Sequence, residues 1–115
     1  MNLENIIKKL DLKVLTDKNE KDFASITPSL GYVSDMLSCV MTGAVKDGLW
    51  VTLQAHNNIV AVACLLDLAA IIITEGAIPD ENTVKKANEE VLTLLSTEKK
   101  SFQIVGKLWE MGIRG

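Results

Sequence analysis

The sequence predicts an α/β fold, a mostly parallel sheet of about four or five short strands with helices packed on it. Two runs lead to this prediction, Leu49 to Leu53 and Ala69 to Ile73, which are short, largely apolar and rich in strand formers. Between them, apolar residues recur at helical spacing at Ile59, Val62, Ala63 and Leu66. Strands that are apolar throughout are buried on both faces, as parallel strands are. Residues 49–73 are therefore predicted to form one βαβ unit with the usual right-handed connection.

The amino-terminal part predicts a helix, a short strand and a turn. Asn2 can cap a helix whose apolar face is formed by Leu3, Ile6, Ile7 and Leu10. Leu12 to Thr16 is a strand candidate, and Asp17 to Lys21 is a charged turn. Phe23 to Leu30 stays open, because Pro28 excludes a regular helix through it.

A second helix is predicted after a short strand at Gly31 to Val33. Ser34 is a suitable N-cap, and Asp35 lies in the first turn, where the helix dipole favours an anion. The expected apolar face consists of Met36, Leu37, Val40 and Met41. For Met36, Met41 and Trp50, core packing is favoured over a partner surface. Gly43 and the turn at Asp47-Gly48 end this helix.

The carboxyl-terminal part predicts a helix, a strand and a final helix. Asp80 is the expected cap of the first of these helices, whose buried stripe is Val84, Ala87 and Val91. Val91 to Leu95 is the next strand, closed by Ser96 and Thr97. The last helix carries Phe102, Val105, Leu108 and Trp109, and Gly112 suits its end.

Composition indicates a single domain over residues 1–115 and excludes several classes of function. The hydrophobic fraction of 48% supplies an ordinary core, and the net charge of -3 with 4% aromatic residues argues against nucleic-acid binding. We find neither a signal peptide nor an apolar run of membrane-spanning length, so we expect a cytoplasmic protein with no membrane association. Cys39 and Cys64 fit helical apolar patterns and are expected to be reduced and buried. No metal-binding spacing occurs, and we expect no metal and no cofactor.

Polar residues cluster where the predicted parallel strands end, which is where open α/β sheets bind ligands. The candidate ligand-binding residues are Ser34, Asp35, Gln54, His56, Asn57, Thr74, Glu75, Gly76, Ser96 and Thr97. Backbone N–H groups at helix starts suit anions. The same residue types also serve as ordinary helix caps, so both interpretations remain open. Asn57 or Asn58 is the expected cap of the central helix, and His56 is expected to face solvent or a shallow depression.

A catalytic centre is not evident in the sequence. His56 can act as an acid or base near neutral pH, with Asp35 or Glu75 as its helper, but no nucleophile accompanies it. Neither a Gly-x-x-x-x-Gly-Lys-Ser/Thr loop nor a Gly-x-Gly-x-x-Gly segment is present. ATP-dependent phosphoryl transfer therefore lacks its usual parts, and kinase activity is not expected.

Several segments together resemble the DRTGG domain family. They are Gly31 to Leu37, Leu49 to Ala63, Ala70 to Gly76, and Leu94 to Thr97 followed by Ser101-Phe102. The defining Asp-Arg-x-Thr-Gly-Gly motif falls near Asp22 to Gly31 and is altered here: Ser29 replaces Thr, Leu30 replaces the first Gly, and no Arg is present. Roles of the Arg and of the first Gly therefore do not carry over.

The resemblance implies a non-catalytic regulatory or binding module, similar to the amino-terminal domain of HPr kinase/phosphorylase. Family members accompany phosphotransacetylases and CBS-domain pyrophosphatases, and commonly form homodimers. We therefore expect a homodimer that binds an anionic metabolite, such as a nucleotide or acyl phosphate, or a partner enzyme. Two alternatives remain: a small enzyme acting on a phosphorylated or carboxylated substrate, and a scaffold protein of a hydrogenase-associated redox complex.

Overall fold

The computed structural model describes residues 1–17 and 22–115, so most of the predicted charged turn at Asp17 to Lys21 lies outside the described residues. Within them the chain forms five helices and five strands. The helices are α1 Leu3–Leu10, α2 Leu37–Gly43, α3 Asn58–Leu65, α4 Glu81–Glu89 and α5 Ser101–Glu110. The strands are β1 Lys13–Val14, β2 Gly31–Val33, β3 Leu49–Thr52, β4 Ala70–Ile73 and β5 Thr93–Ser96. A 3-10 turn at Phe23–Ser25 occupies part of the segment that the sequence left open.

The five strands form one sheet in the order β1-β5-β4-β3-β2. Strands β2 to β5 are parallel, with Leu49 beside Ala70 and Thr52 beside Ile73 in the central pair. Only β1 is antiparallel, and it places Lys13 beside Ser96 at the carboxyl end of β5. The predicted α/β fold with a mostly parallel sheet is therefore confirmed.

Helices cover both faces of the sheet. Trp50, Ile71, Ile73 and Leu94 point to the layer formed by α2, α3 and α4, whose own core residues include Val40, Ile59 and Ala87. Leu49, Val51, Ala70, Ile72 and Leu95 point to the opposite layer, formed by α1 and α5. Alternate residues of each strand thus enter different cores, which is why β3 and β4 are apolar on nearly every residue.

Four of the helices end in the same way, with a residue in the left-handed conformation. The amide of the following residue then bonds back to the last turn, as Leu12 does to the Ile7 carbonyl at 2.9 Å. Gly112, at φ 97, does this after α5, as the sequence predicted. Asp11, Asp67 and Val91 do it after α1, α3 and α4, although none of them is glycine.

The second helix differs from its prediction. Ser34 is not its N-cap, because α2 begins at Leu37 and Met36 occupies the cap position without a side-chain bond. Among its predicted apolar face only Val40 is buried, while Met36 is 61% and Met41 41% exposed. The expected core packing of these methionines is therefore wrong, because a short helix at the edge of the layer has little to pack against.

Two predictions in the carboxyl-terminal half are also wrong. Val91 is exposed in the turn after α4, and β5 begins only at Thr93. In α5 the apolar pattern is correct for Leu108, which is buried, and for Val105, which packs against the core, but it misses the buried Ile104 and includes Phe102, which is 91% exposed. Asp80 does cap α4, accepting a bond from the Thr83 amide at 2.8 Å.

Cys39 and Cys64 are half-buried, so the expectation of full burial is wrong for both; they form no disulfide. Among the described residues, no helix combines the length and the apolar character needed to cross a membrane.

Candidate functional site

The carboxyl ends of the four parallel strands lie along one edge of the sheet, because parallel strands run in the same direction. The predicted ligand-binding residues follow these ends, at Ser34 and Asp35, at Gln54, His56 and Asn57, at Thr74 to Gly76, and at Ser96 and Thr97. The structure therefore brings their backbones to one edge. Their side chains, however, form separate local groups, described in turn below.

Asp35 connects the ends of β2 and β3. Its Oδ1 accepts hydrogen bonds from the Thr52 hydroxyl at 2.7 Å and from the Leu53 amide at 2.9 Å. Its backbone carbonyl accepts a further bond from the Gln54 side-chain amide. Asp35 is exposed, yet this oxygen is already engaged by the protein. The carboxylate thus has a structural function, which is to hold the chain as it leaves β3.

Glu75 performs a similar task for α5. Glu75 lies in the left-handed conformation at φ 63, and its Oε2 accepts a bond from the Ser101 amide at 2.8 Å. A carboxylate at a helix start satisfies a free N–H group and interacts favourably with the helix dipole. The Thr74 hydroxyl lies 2.6 Å from the Ser101 hydroxyl, so the start of α5 is attached to the end of β4 through both residues.

The hydroxyls of Ser34 and Thr97 stabilise turns. Ser34 Oγ accepts a bond from the Met36 amide at 3.1 Å, and Thr97 Oγ1 accepts one from the Lys99 amide at 3.1 Å. Such bonds to the amide two residues ahead are the usual behaviour of these residue types in turns. For these two residues the local structural interpretation accounts for the side chain.

Asn57 lies at the N-cap position of α3 but its side chain makes no capping bond. Its backbone is already helical, at φ -65 and ψ -18. Backbone carbonyls accept the first amides of the helix instead. The Ile59 amide donates to the His56 carbonyl at 3.2 Å, and the Val60 amide donates to the Asn57 carbonyl at 3.1 Å. The predicted asparagine cap is therefore correct in position and wrong in mechanism.

His56 is exposed, as predicted, and its side chain makes no hydrogen bond to the described residues. It lies close enough to the α4 cap for the two charges to interact. Hydrogen bonds from the Thr83 amide and hydroxyl lower the pKa of Asp80, and the charge of His56 lowers it further. Asp80 therefore stabilises the fold above the ordinary carboxyl pKa, and this contribution is lost as the pH falls through the lowered value.

His56→Ala should leave the free energy of unfolding within about 0.5 kcal/mol of the wild type, because an exposed side chain without bonds contributes little. Urea denaturation at neutral pH measures this. Asp80→Ala is the comparison, and it should be less stable than His56→Ala because it removes the cap of α4. A loss of several kcal/mol in His56→Ala would show that the histidine has a structural function.

A depression of about 480 Å³ lies where β5, β1 and the loop after β4 meet. Its lining includes three of the predicted residues, Gly76, Ser96 and Thr97. It also includes charged residues that the sequence analysis did not select, namely Asp11, Lys13, Glu98 and Lys99. Lys13 and Asp11 are far from the other residues in sequence and arrive through the antiparallel pairing of β1 with β5, which strand patterns do not predict.

The comparisons with known proteins identify one family. The model of the DRTGG domain family matches residues 5–111. The crystal structure of the CBS and DRTGG domains of the regulatory region of Clostridium perfringens pyrophosphatase, complexed with the activator diadenosine tetraphosphate, is similar with a TM-score of 0.74 and 20% sequence identity. No curated protein gives a significant match.

The aligned region covers 91% of this chain and 44% of that chain, so this chain spans less than half of the pyrophosphatase regulatory region. At this level of identity the likeness shows the fold.

Proposed function

The chain belongs to the DRTGG domain family, and from that premise we propose that it is a non-catalytic regulatory module that binds an anionic metabolite at the carboxyl edge of its sheet. The observation that carries this proposal is the depression of about 480 Å³ between β5, β1 and the loop after β4. Its size lies within the range of small-molecule sites, about 300–1,000 Å³. The nucleotide activator of the pyrophosphatase regulatory region is consistent with this class of ligand.

The cations of the depression supply the attraction for a phosphate. Lys13 is exposed and makes no side-chain bond to the described residues, so its ammonium group is available to a ligand. Lys99 also lines the depression, and its ammonium group donates a hydrogen bond to the Leu10 carbonyl at 3.4 Å. The Ser96 hydroxyl, at the end of β5, adds a donor. Charge-assisted bonds to such groups are among the stronger polar contacts in proteins.

The carboxylates of the depression favour a nucleotide over a simple anion. Asp11 and Glu98 also line it, and they balance the charge of the two lysines. A plain phosphate gains little from such a mixed lining, whereas a nucleotide presents ribose hydroxyls and amino groups that donate to carboxylates. Ile78, which is 87% exposed at the rim, offers an apolar surface for a base. We therefore select a nucleotide from the anionic ligands that the sequence allowed.

The engagement of the two candidate acid–base helpers supports a non-catalytic module. Asp35 bonds to Thr52 and Leu53, and Glu75 bonds to Ser101. No side-chain bond links either carboxylate to His56. A general base must lie within hydrogen-bonding reach of the proton it removes, and its orienting partner must hold it there. The enzyme alternative therefore has less support than the binding module.

We also propose that the chain acts as a homodimer, as expected from the family resemblance. We propose a cytoplasmic location for the same module, since a nucleotide regulator requires access to the nucleotide pool.

Lys13→Gln should raise the dissociation constant for a bound nucleotide by about tenfold to a hundredfold, because a charge-assisted contact contributes about 1.5–3 kcal/mol. Isothermal titration calorimetry with ADP, AMP, acetyl phosphate and inorganic phosphate measures this and ranks the ligand classes. The control is Lys85→Gln, which removes an exposed cation of α4 outside the depression and should leave every affinity unchanged.

Neither lysine variant should change the stability of the unliganded protein. If none of the four compounds binds to the folded wild-type protein, the proposed ligand class is wrong. If a nucleotide binds equally well to the wild type and to Lys13→Gln, the ligand binds elsewhere.

A further inference from the structure

Two loops form one wall of the depression that is proposed to bind a nucleotide, and backbone hydrogen bonds join these loops. The loop after β4 supplies Gly76, and the loop after β5 supplies Thr97 and Lys99. The Gly76 amide donates to the Thr97 carbonyl at 3.1 Å. The Glu75 amide donates to the Lys99 carbonyl at 2.9 Å. The position of the Lys99 backbone therefore depends on the conformation of the loop after β4.

Lys99 is held in place through its side chain as well as its backbone. Its amide donates to Thr97 Oγ1 at 3.1 Å, and its ammonium group donates to the Leu10 carbonyl at 3.4 Å. Lys99 is half-buried, whereas Lys13 is exposed and makes no side-chain bond to the described residues. A group that is already fixed loses less conformational freedom when a ligand binds. Of the two lysines in the depression, Lys99 is therefore the preorganised one.

Glu75 connects this wall of the depression to α5. Glu75 does not itself line the depression, and its Oε2 accepts a bond from the Ser101 amide at 2.8 Å. Its backbone is left-handed at φ 63, which is unfavourable for a residue with a Cβ, and Gly76 follows at φ 73. The bond to Ser101 holds Glu75 in this conformation. In the same conformation the Glu75 amide bonds to the Lys99 carbonyl.

We propose that Glu75 is a positioning residue of the nucleotide site, whose carboxylate fixes the loop that holds Lys99 without touching the ligand. This inference rests on the proposed nucleotide site and adds to it a residue outside the depression. When the bond to Ser101 is lost, the loop after β4 gains conformations in which the Glu75 amide no longer holds the Lys99 carbonyl. The ligand must then order this loop as it binds, and its affinity falls.

The sign of the expected effect separates positioning from direct electrostatics. A carboxylate near an anionic ligand repels it, so removal of the charge alone would strengthen nucleotide binding. Loss of a positioned cation has the opposite effect. Glu75→Ala should therefore weaken binding although it removes a negative charge from the surroundings of the phosphates.

Isothermal titration calorimetry with ADP and AMP tests this role. Glu75→Ala should raise the dissociation constant about threefold to tenfold, the effect of having to immobilise a freed segment on binding. Glu75→Gln keeps a side-chain oxygen that can accept the bond from the Ser101 amide, and it should retain most of the wild-type affinity. Such a rescue assigns the effect to the hydrogen bond and not to the charge.

Ser101→Pro removes the other partner of the bond and leaves the helix able to begin. Ser101 is the first residue of α5, a position that favours proline because its amide has no partner within the helix. Lys100 is extended at φ -73 and ψ 150, as a residue before proline should be. Ser101→Pro should weaken nucleotide binding as Glu75→Ala does, and the double variant should bind no more weakly than the weaker single variant. Ser101→Ala keeps the amide, so it controls for loss of the hydroxyl contact with Thr74.

Asn2→Ala is the control for a general loss of stability. Asn2 caps α1 by accepting a bond from the Asn5 amide at 2.8 Å, and it does not line the depression. Its replacement should destabilise the protein, as loss of a helix cap does, and should leave the nucleotide affinity unchanged. Urea denaturation without ligand establishes that every variant is folded under the conditions of the titration.

Unchanged or tighter nucleotide binding in Glu75→Ala, with binding to the wild type intact, would overturn the positioning role and leave the proposed function standing. Equal weakening in Asn2→Ala would overturn it too, because general destabilisation would then account for both. If neither ADP nor AMP binds to the folded wild type, the nucleotide site and the role of Glu75 are both wrong. If Glu75→Ala does not fold, Ser101→Pro compared with Ser101→Ala decides the question.

Discussion

Trp50→Ala should lower the free energy of unfolding by about 3–5 kcal/mol, the range for removal of a buried aromatic side chain. Trp50 is 0% exposed on β3 and packs in the core beneath α2 and α3. Its indole N–H also donates to the Ser34 carbonyl at 2.8 Å. The substitution therefore creates a cavity and leaves a partly buried carbonyl without its donor. Chemical denaturation followed by far-ultraviolet circular dichroism measures the loss.

Two variants separate the contributions. Trp50→Phe keeps most of the apolar volume and removes the bond to Ser34, so its loss should be smaller than that of Trp50→Ala. Trp109→Ala, compared at concentrations where the protein is monomeric, removes the same side chain from a site that is 55% exposed and should cost less than Trp50→Ala. Equal losses in Trp50→Ala and Trp109→Ala would contradict the assignment of Trp50 to the core.

Gly48→Ala should destabilise the protein by about 1–3 kcal/mol, as overpacking at a buried position does. A Cβ at this position would lie 2.8 Å from the Val45 carbonyl oxygen and 2.9 Å from the Leu30 carbonyl oxygen. Both are backbone atoms held by hydrogen bonds, since Leu49 donates to Leu30 at 2.8 Å and Gly48 donates to Val45 at 3.0 Å. Neither can move without disturbing the start of the pairing between β2 and β3.

Gly106→Ala is the matched control, because it makes the same chemical change where the new methyl group meets nothing within 4 Å. In the monomer it should raise stability by about 0.5–1 kcal/mol through helix propensity. Thermal denaturation of both variants at low protein concentration compares them. Two changes of the same sign would show that the close approach at Gly48 is not what requires glycine there.

Local sequence patterns predicted the bounds of three strands closely. Gly31 to Val33 was predicted with its observed bounds, and the runs at Leu49 and Ala69 were each predicted within one residue. Apolar residues with strand propensity, interrupted by polar turns, are sufficient for this, because buried parallel strands allow few polar side chains. Asp80 was identified as a cap for a comparable reason, since its bond to Thr83 depends on neighbouring residues alone.

The ends of the helices were harder to predict from the sequence than the bounds of the strands. Gly43 and Gly112 were recognised as stop signals, whereas α1, α3 and α4 are followed by Asp11, Asp67 and Val91 in the left-handed conformation, which the sequence analysis did not identify. Their left-handed conformation is unfavourable for residues with a Cβ, least so for Asp, and is imposed by bonds back to the last helical turn. Val91 is β-branched, and β-branched residues favour strands. The sequence therefore predicted a strand at this position, where the structure has a turn.

The sequence by itself determined the fold class, the family and the set of polar residues at the strand ends, because each depends on short segments. The tertiary structure decided which of these side chains are engaged. Asp35 and Glu75 are bound to β3 and α5, while Lys13 joins Ser96 and Thr97 only through the pairing of β1 with β5. It also decided that α5 presents Phe102 and Trp109 to solvent. Helical spacing of apolar residues predicts that a helix has an apolar face, and contacts between distant segments determine which of those residues the chain itself buries.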